Sequence, residues 1–244
     1  MDAPAPKTSR LEWFVPMGIW YARSRLKRSM DGVFVSGLGA ARRHTLDRGI
    51  LFASNHVSWW DPFLIIALND ALGTSGYALM DAQNLEKLPF FGWLGAIPID
   101  RSSPGRSRSG LKTAAALLRP PKQIVWLFPQ GRQRPSWVRP LDLKPGVRLL
   151  ARLSEAPVMP VSLTYAYRDA EQPSVMVSFG EPLDPKRRDL VAALEDAIIQ
   201  GLERNDAFLE GQADFDALIA PQKAQQQDSI GARILTLIGR STNR

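Results

Sequence analysis

Short apolar runs alternate along most of this chain with stretches of helical periodicity, and that alternation limits the folds open to it. "GVFVSGL" (32–38), "GILFAS" (49–54), "GYALM" (76–80), "GAIPID" (95–100), "QIVWLF" (123–128), "VMPVSLTY" (158–165) and "VMVSFG" (175–180) read as strands. "DPFLIIALNDAL" (61–72), "SGLKTAAALLR" (109–119), "PGVRLLARLSE" (145–155) and "RDLVAALEDAIIQGLERN" (188–205) read as helices. A strand that reaches the next strand through a helix makes a crossover, and crossovers give parallel pairing. The expected fold is therefore α/β: a central, largely parallel (mixed) sheet flanked by helices. "QIVWLF" is wholly apolar, as a strand buried on both faces must be. Pro98 in "GAIPID" points to an edge or a short run, because proline donates no ladder bond. Apolar residues make up 45% of the 244, enough to fill such a core.

The ends of the chain differ from this middle. Trp13, Met17, Trp20 and Tyr21 fall on one side of a helix within 11–31, Pro16 limits its upstream extent, and Arg23, Arg25, Lys27 and Arg28 follow. "PQKAQQQD" (221–228) is a polar linker, and "SIGARILTLIGR" (229–240) is a short amphipathic helix. The expected division is a tail and interfacial helix over 1–31, a main domain over 32–220, and a linker with a C-terminal amphipathic helix over 221–244. Each terminal helix can lie on a bilayer or cover the domain. The N-terminus lacks the pattern of a signal peptide, and no stretch reaches the roughly 18 apolar residues of a spanning helix. A peripheral (monotopic) protein on the cytoplasmic face of a membrane is expected.

The net charge of +7 favours anionic partners: phosphates, anionic lipid or nucleic acid. The basic residues are scattered and form no nucleic-acid-binding motif, so nucleic acid is not expected. There is no cysteine, which excludes thiol nucleophiles, disulfides and thiolate metal sites. With only two histidines, and His44 set among Arg42, Arg43 and Arg48, neither a metal nor another cofactor is expected.

The other histidine, His56, stands just beyond "GILFAS", where open α/β sheets collect their sites. In "NHVSWWDPF" (55–63), Asp61 follows five residues later, read as the N-cap of a helix with Pro62 at its first position. A strand-to-helix turn can bring this carboxylate to the imidazole and make a general base. Spacing alone equally allows a helix cap and an unrelated loop histidine. Trp59 and Trp60 wall an apolar pocket, face a membrane, or fill the core beneath the turn. Two further strand ends carry cations: "GAIPIDR" ends on Asp100-Arg101, and "FPQGRQRP" (128–135) carries Arg132 and Arg134. Arginine forks suit phosphate oxygens, although Arg101 could equally pair with Asp100.

The order of these motifs resembles the glycerolipid (lysophosphatidic acid) acyltransferases, over roughly residues 30–190. "NHVSWWD" matches the family's Asn-His-x4-Asp at Asn55, His56 and Asp61. "GAIPIDR" resembles the second motif and ends at Arg101. "FPQGRQRP" keeps Phe128, Pro129 and Gly131 of the third, and "APVMPVSL" (156–163) resembles the fourth. The third motif departs from the pattern: Gln130 replaces a Glu, Arg132 stands where Thr is usual, Gln133 where Arg is usual, and Arg134 lies one place later.

The resemblance implies transfer of a fatty acyl group from a thioester, acyl-CoA or acyl carrier protein, to a lysophospholipid hydroxyl. His56 would be the general base and Asp61 its partner. Asn55, Arg101, Phe128, Pro129, Gln130, Gly131, Arg132 and Arg134 would bind substrate, with oxyanion donors near Gly131. The change of Glu to Gln at 130 makes the pocket more positive and favours an anionic acceptor, 1-acylglycerol-3-phosphate. A glycosylated lipid acceptor, a hydrolase using the same base on water, and a non-catalytic basic binder of nucleic acid are the alternatives.

Overall fold

The computed structural model describes residues 8–100 and 104–221. In chain order the elements are α1 (Val15–Ser29), β1 (Gly32–Ser36), α2 (Leu38–His44), β2 (Ile50–Ser54), α3 (Asp61–Leu72), β3 (Ser75–Asp81), α4 (Ala82–Lys87) and α5 (Phe90–Trp93). They continue as β4 (Ala96–Ile99), α6 (Pro104–Leu117), β5 (Gln123–Leu127), α7 (Gly146–Ser154), β6 (Val158–Ala166), β7 (Ser174–Phe179), α8 (Leu190–Leu209) and β8 (Asp216–Ile219). The expected C-terminal helix at 229–240 lies outside the described residues.

One mixed sheet runs in the order β4-β3-β5-β2-β6-β7-β1-β8. Its pairs are parallel except β6–β7 and β1–β8. β2 and β5 lie inside it and are nearly fully apolar. Along β2, Ile50 and Phe52 join one core cluster while Leu51 and Ala53 join the other, so a single strand feeds both faces. β4 is an edge strand with Pro98 exposed, in keeping with its proline.

α1 buries Gly18, Ala22 and Leu26, spaced by four, and packs against α3. Its core face shares one cluster with β1, β2 and α3, so it is built into the body of the fold. On the other layer α8 crosses the β6–β7 hairpin closely, because a Cβ at Gly201 would lie 2.2 Å from Ser162 Oγ. That hydroxyl donates to the Ile198 carbonyl at 2.7 Å, and the buried Asn205 accepts from Ser178 Oγ at 2.8 Å.

The structure corrects the role of Asp61 as helix cap. Trp60 is the N-cap of α3, and Asp61 is the first helical residue with its carboxylate turned back over the preceding turn. The short α2, α4, α5 and β8 were not expected from sequence. Each is seven residues or fewer, too short for a periodic pattern to stand out.

Candidate active site

β2 and β5 are parallel neighbours, so the turns beyond their carboxyl ends lie side by side. This brings the first and third motifs together: His56 N donates to Gln130 Oε1 at 2.7 Å, and Arg134 N donates to the His56 carbonyl at 2.8 Å. β6 runs on past the end of β2, whose last residue, Ser54, pairs with Val161. Asn55 fills the vacant ladder positions with its side chain. Its Nδ2 donates to the Leu163 carbonyl and its Oδ1 accepts from Leu163 N, both at 2.8 Å.

The turn itself is wound around Asp61, which is fully buried. Its Oδ2 accepts from Val57 N at 2.9 Å and Ser58 N at 3.1 Å and meets His56 Nδ1 at 2.6 Å. Its Oδ1 accepts from Tyr165 Oη at 2.8 Å. A carboxylate only accepts, so Nδ1 carries the imidazole proton and Nε2 keeps a lone pair. The ring is stacked on Phe128, centroids 4.4 Å apart at 26°, and its side chain remains 22% exposed. A fixed tautomer, a buried partner and an accessible second nitrogen are what proton abstraction requires. Burial, with the Asp61 charge beside it, pushes the Tyr165 phenol well above its ordinary range, so it stays a donor.

His56 lies on a cavity of about 590 Å³, a size suited to a substantial ligand. The walls are mainly apolar and come from both layers: Ile65, Ala78 and Met80 on the α3 side, Leu79, Leu111 and Val147 on the α6–α7 side. Trp59 lines it while 53% exposed, whereas Trp60 packs onto the core beneath the Arg25 guanidinium, 5.2 Å from its ring centroid.

Of the residues expected to bind substrate, Phe128, Pro129, Gln130 and Gly131 line this cavity. Gln130 is nonetheless 3% exposed, its Nε2 donating to the Leu141 carbonyl at 3.1 Å and its Oε1 held by His56 N. Its neutral amide serves as a clamp between two loops. Gly131 N donates to the Phe128 carbonyl at 3.0 Å. Asn55 is taken up by β6, and Arg132 is exposed away from the lining. Arg134 lies off the lining, and its Nη1 donates to the carbonyls of Pro140, at 3.0 Å, and Leu141, at 2.9 Å. Arg101 lies outside the described residues.

Sequence reasoning missed Tyr165 and Lys144. Lys144 lines the cavity and pairs with Asp142 at 2.8 Å, a bond and charge that hold that carboxyl below its ordinary value. Neither residue belongs to a motif, and Tyr165 reaches Asp61 from 104 positions away. Among the described residues no group of His, Cys, Asp or Glu could hold a metal ion, and no helix is long and apolar enough to cross a membrane.

The chain is similar to known proteins in sequence and in fold. A curated 1-acyl-sn-glycerol-3-phosphate acyltransferase of Streptococcus pneumoniae is 28% identical over 145 residues, 57% of this chain and 51% of that protein. The chain thus spans about half the length of the curated relative it matches. The crystal structure of the 1-acyl-sn-glycerophosphate (LPA) acyltransferase PlsC from Thermotoga maritima superposes with a TM-score of 0.58 at 18% identity. The match covers 80% of this chain and 81% of that one, and it shows that the α/β fold is shared. A family model described as Acyltransferase matches residues 32–164, which hold both the His56–Asp61 turn and the Phe128–Gly131 loop. With more than half its length under that model and the motifs in order, this chain belongs to the acyltransferase family.

Proposed function

We propose that the protein transfers a fatty acyl group from a thioester, acyl-CoA or acyl carrier protein, to the hydroxyl of 1-acylglycerol-3-phosphate. The observation that carries this reading is the His56–Asp61 pair set on a large apolar cavity. His56 Nε2 takes the hydroxyl proton, and the oxygen attacks the thioester carbonyl. The tetrahedral intermediate collapses, the C–S bond breaks, and the leaving thiolate recovers the proton from the imidazolium. Asp61 holds the ring and stabilises its charged form. The chain has no cysteine, which fits direct transfer without a thioester on the enzyme.

Arg101, in the second motif, is proposed to grip the acceptor phosphate. A second reading has a specific observation behind it: Arg132 and Arg134 stand off the cavity lining, which leaves fewer cations for an acceptor phosphate. Under it the acceptor is a glycosylated lipid and the arginines serve the thioester carrier. Kinetics of Arg101→Ala, varying each substrate in turn, separate the two. The phosphate reading expects the acceptor KM to rise at least tenfold, in line with a lost charged hydrogen bond of roughly 2–5 kcal/mol, and the thioester KM to change little. An unchanged acceptor KM with a raised thioester KM turns the assignment to the second reading.

The protein is further proposed to work at the cytoplasmic face of a membrane, bound from one side. Trp13, Met17, Trp20 and Tyr21 are all exposed on or beside α1. Phe63 links this stripe to the cavity, its ring centroid 6.0 Å from Tyr21 and 5.1 Å from Trp59. Phe14 links it to the exposed Trp93, at 5.3 Å. Phe63 is itself buried, so the exposed rings of α1 and the cavity-lining Trp59 pack on one core ring, and exposed aromatics this near the cavity suit a substrate whose tail starts in lipid. Flotation is expected to carry the protein up with anionic vesicles, and a Trp13→Ser/Trp20→Ser double variant to stay behind. A wild-type protein that remains at the bottom of the gradient contradicts the proposal.

A further inference from the structure

We infer that Tyr165 is a positioning residue for the reaction: its phenol hydroxyl holds the Asp61 carboxylate and sets how strongly that carboxylate acts on His56. This rests on the reading of His56 as the base. The other donors to Asp61 come from within its own turn, at His56, Val57 and Ser58, and all of them meet Oδ2. Oδ1 is held by Tyr165 alone among the donors described, at 2.8 Å. Asp61 is fully buried, so without that hydroxyl Oδ1 has no water to turn to.

The strand that supplies Tyr165 is built for this reach. β6 outruns β2 beyond Val161, and its pairing with β7 continues to Ala166, so the overhang stays rigid. Leu163 offers its backbone N–H and carbonyl, and Tyr165, two residues on, its side chain. The first is gripped by Asn55 and the second grips Asp61, so both ends of the 55–61 turn are fastened to one strand. A donor on Oδ1 also withdraws negative charge from the carboxylate, which weakens its pull on the imidazole proton. Tyr165 therefore tunes the base as well as orienting it.

The test combines kinetics with proton NMR of the imidazoles, which is simple because the chain has only two histidines. His44, at the surface beside Glu181 at 3.7 Å, is the internal control. Tyr165→Phe is expected to lower kcat about tenfold or more while leaving both KM values within about twofold. The acidic limb of its pH–rate profile, and the titration midpoint of His56, should move to higher pH, with His44 unmoved. A 3-fluorotyrosine at position 165 is a stronger acid and a stronger donor, and it should move both to lower pH. It differs from tyrosine by one atom, so it carries the test even where the phenylalanine variant is unstable. A fall in activity without movement of His56, or movement in the same direction for both replacements, overturns the inference. Full turnover by His56→Ala would instead remove the base itself, and that outcome is distinguishable from a His56-dependent enzyme indifferent to residue 165.

Discussion

Replacing His56 with Ala is expected to cut acyl transfer roughly 10²–10⁴-fold while the protein stays folded. The imidazole is 22% exposed, and without it Asp61 keeps the donors Val57 N, Ser58 N and Tyr165 Oη, so the fold should persist. Asp61→Asn should approach the same loss by a different route. An amide can place its NH2 toward Nδ1, which then has to accept, and the proton moves to Nε2 where the lone pair is needed. Asp61 is also fully buried among four donors, so this variant is expected to be less stable as well as inactive. Circular dichroism and thermal melts, run beside the assays, keep the two effects apart.

Asn55→Ala is expected to act first on stability. It leaves Leu163 N and the Leu163 carbonyl without the partners that Asn55 provides, in a place where the residue is 1% exposed. At about 1–3 kcal/mol for each of the two buried unsatisfied groups, the cost should be roughly 2–6 kcal/mol. Denaturant midpoints measure it. Turnover should fall as well, because the 55–61 turn loses one of its two ties to β6. A variant of near-native stability with a raised acceptor KM would return Asn55 to the role of substrate contact suggested by its place in the motif.

The larger elements were legible because burial writes them into composition. β2 and β5 are apolar except for Ser54 and Gln123 at their ends, since helices cover both faces of the sheet, and Pro98 marked β4 as an edge or a short run. The helices α3, α6, α7 and α8 carry enough turns for their periodicity to show. The pairing of His56 with Asp61 was legible as a possibility, because a strand end and a short turn put them within reach. How Asp61 is held was not. Its carboxylate takes the backbone N–H groups of Val57 and Ser58 in place of those of α3. Gln130 looked like a change of charge in a pocket. Its neighbours in space, His56 N and the Leu141 carbonyl, make it a matter of one donor and one acceptor, for which an amide is suited and a carboxylate is not. Arg134 likewise looked free until the Pro140 and Leu141 carbonyls folded over it. In each case the missing information is which backbone polar groups a loop presents, and that depends on residues distant in sequence.

The central claim is that a thioester acyl group passes to a lipid hydroxyl through the base formed by His56 and Asp61. Radiolabelled acyl-CoA or acyl carrier protein, incubated with 1-acylglycerol-3-phosphate and either the wild-type protein or His56→Ala, tests it most directly. The account predicts labelled diacylglycerol phosphate with the wild type, little free fatty acid when the acceptor is left out, and almost no product with the variant. Label released as free fatty acid regardless of acceptor, or product formed equally well by a folded His56→Ala protein, would contradict it.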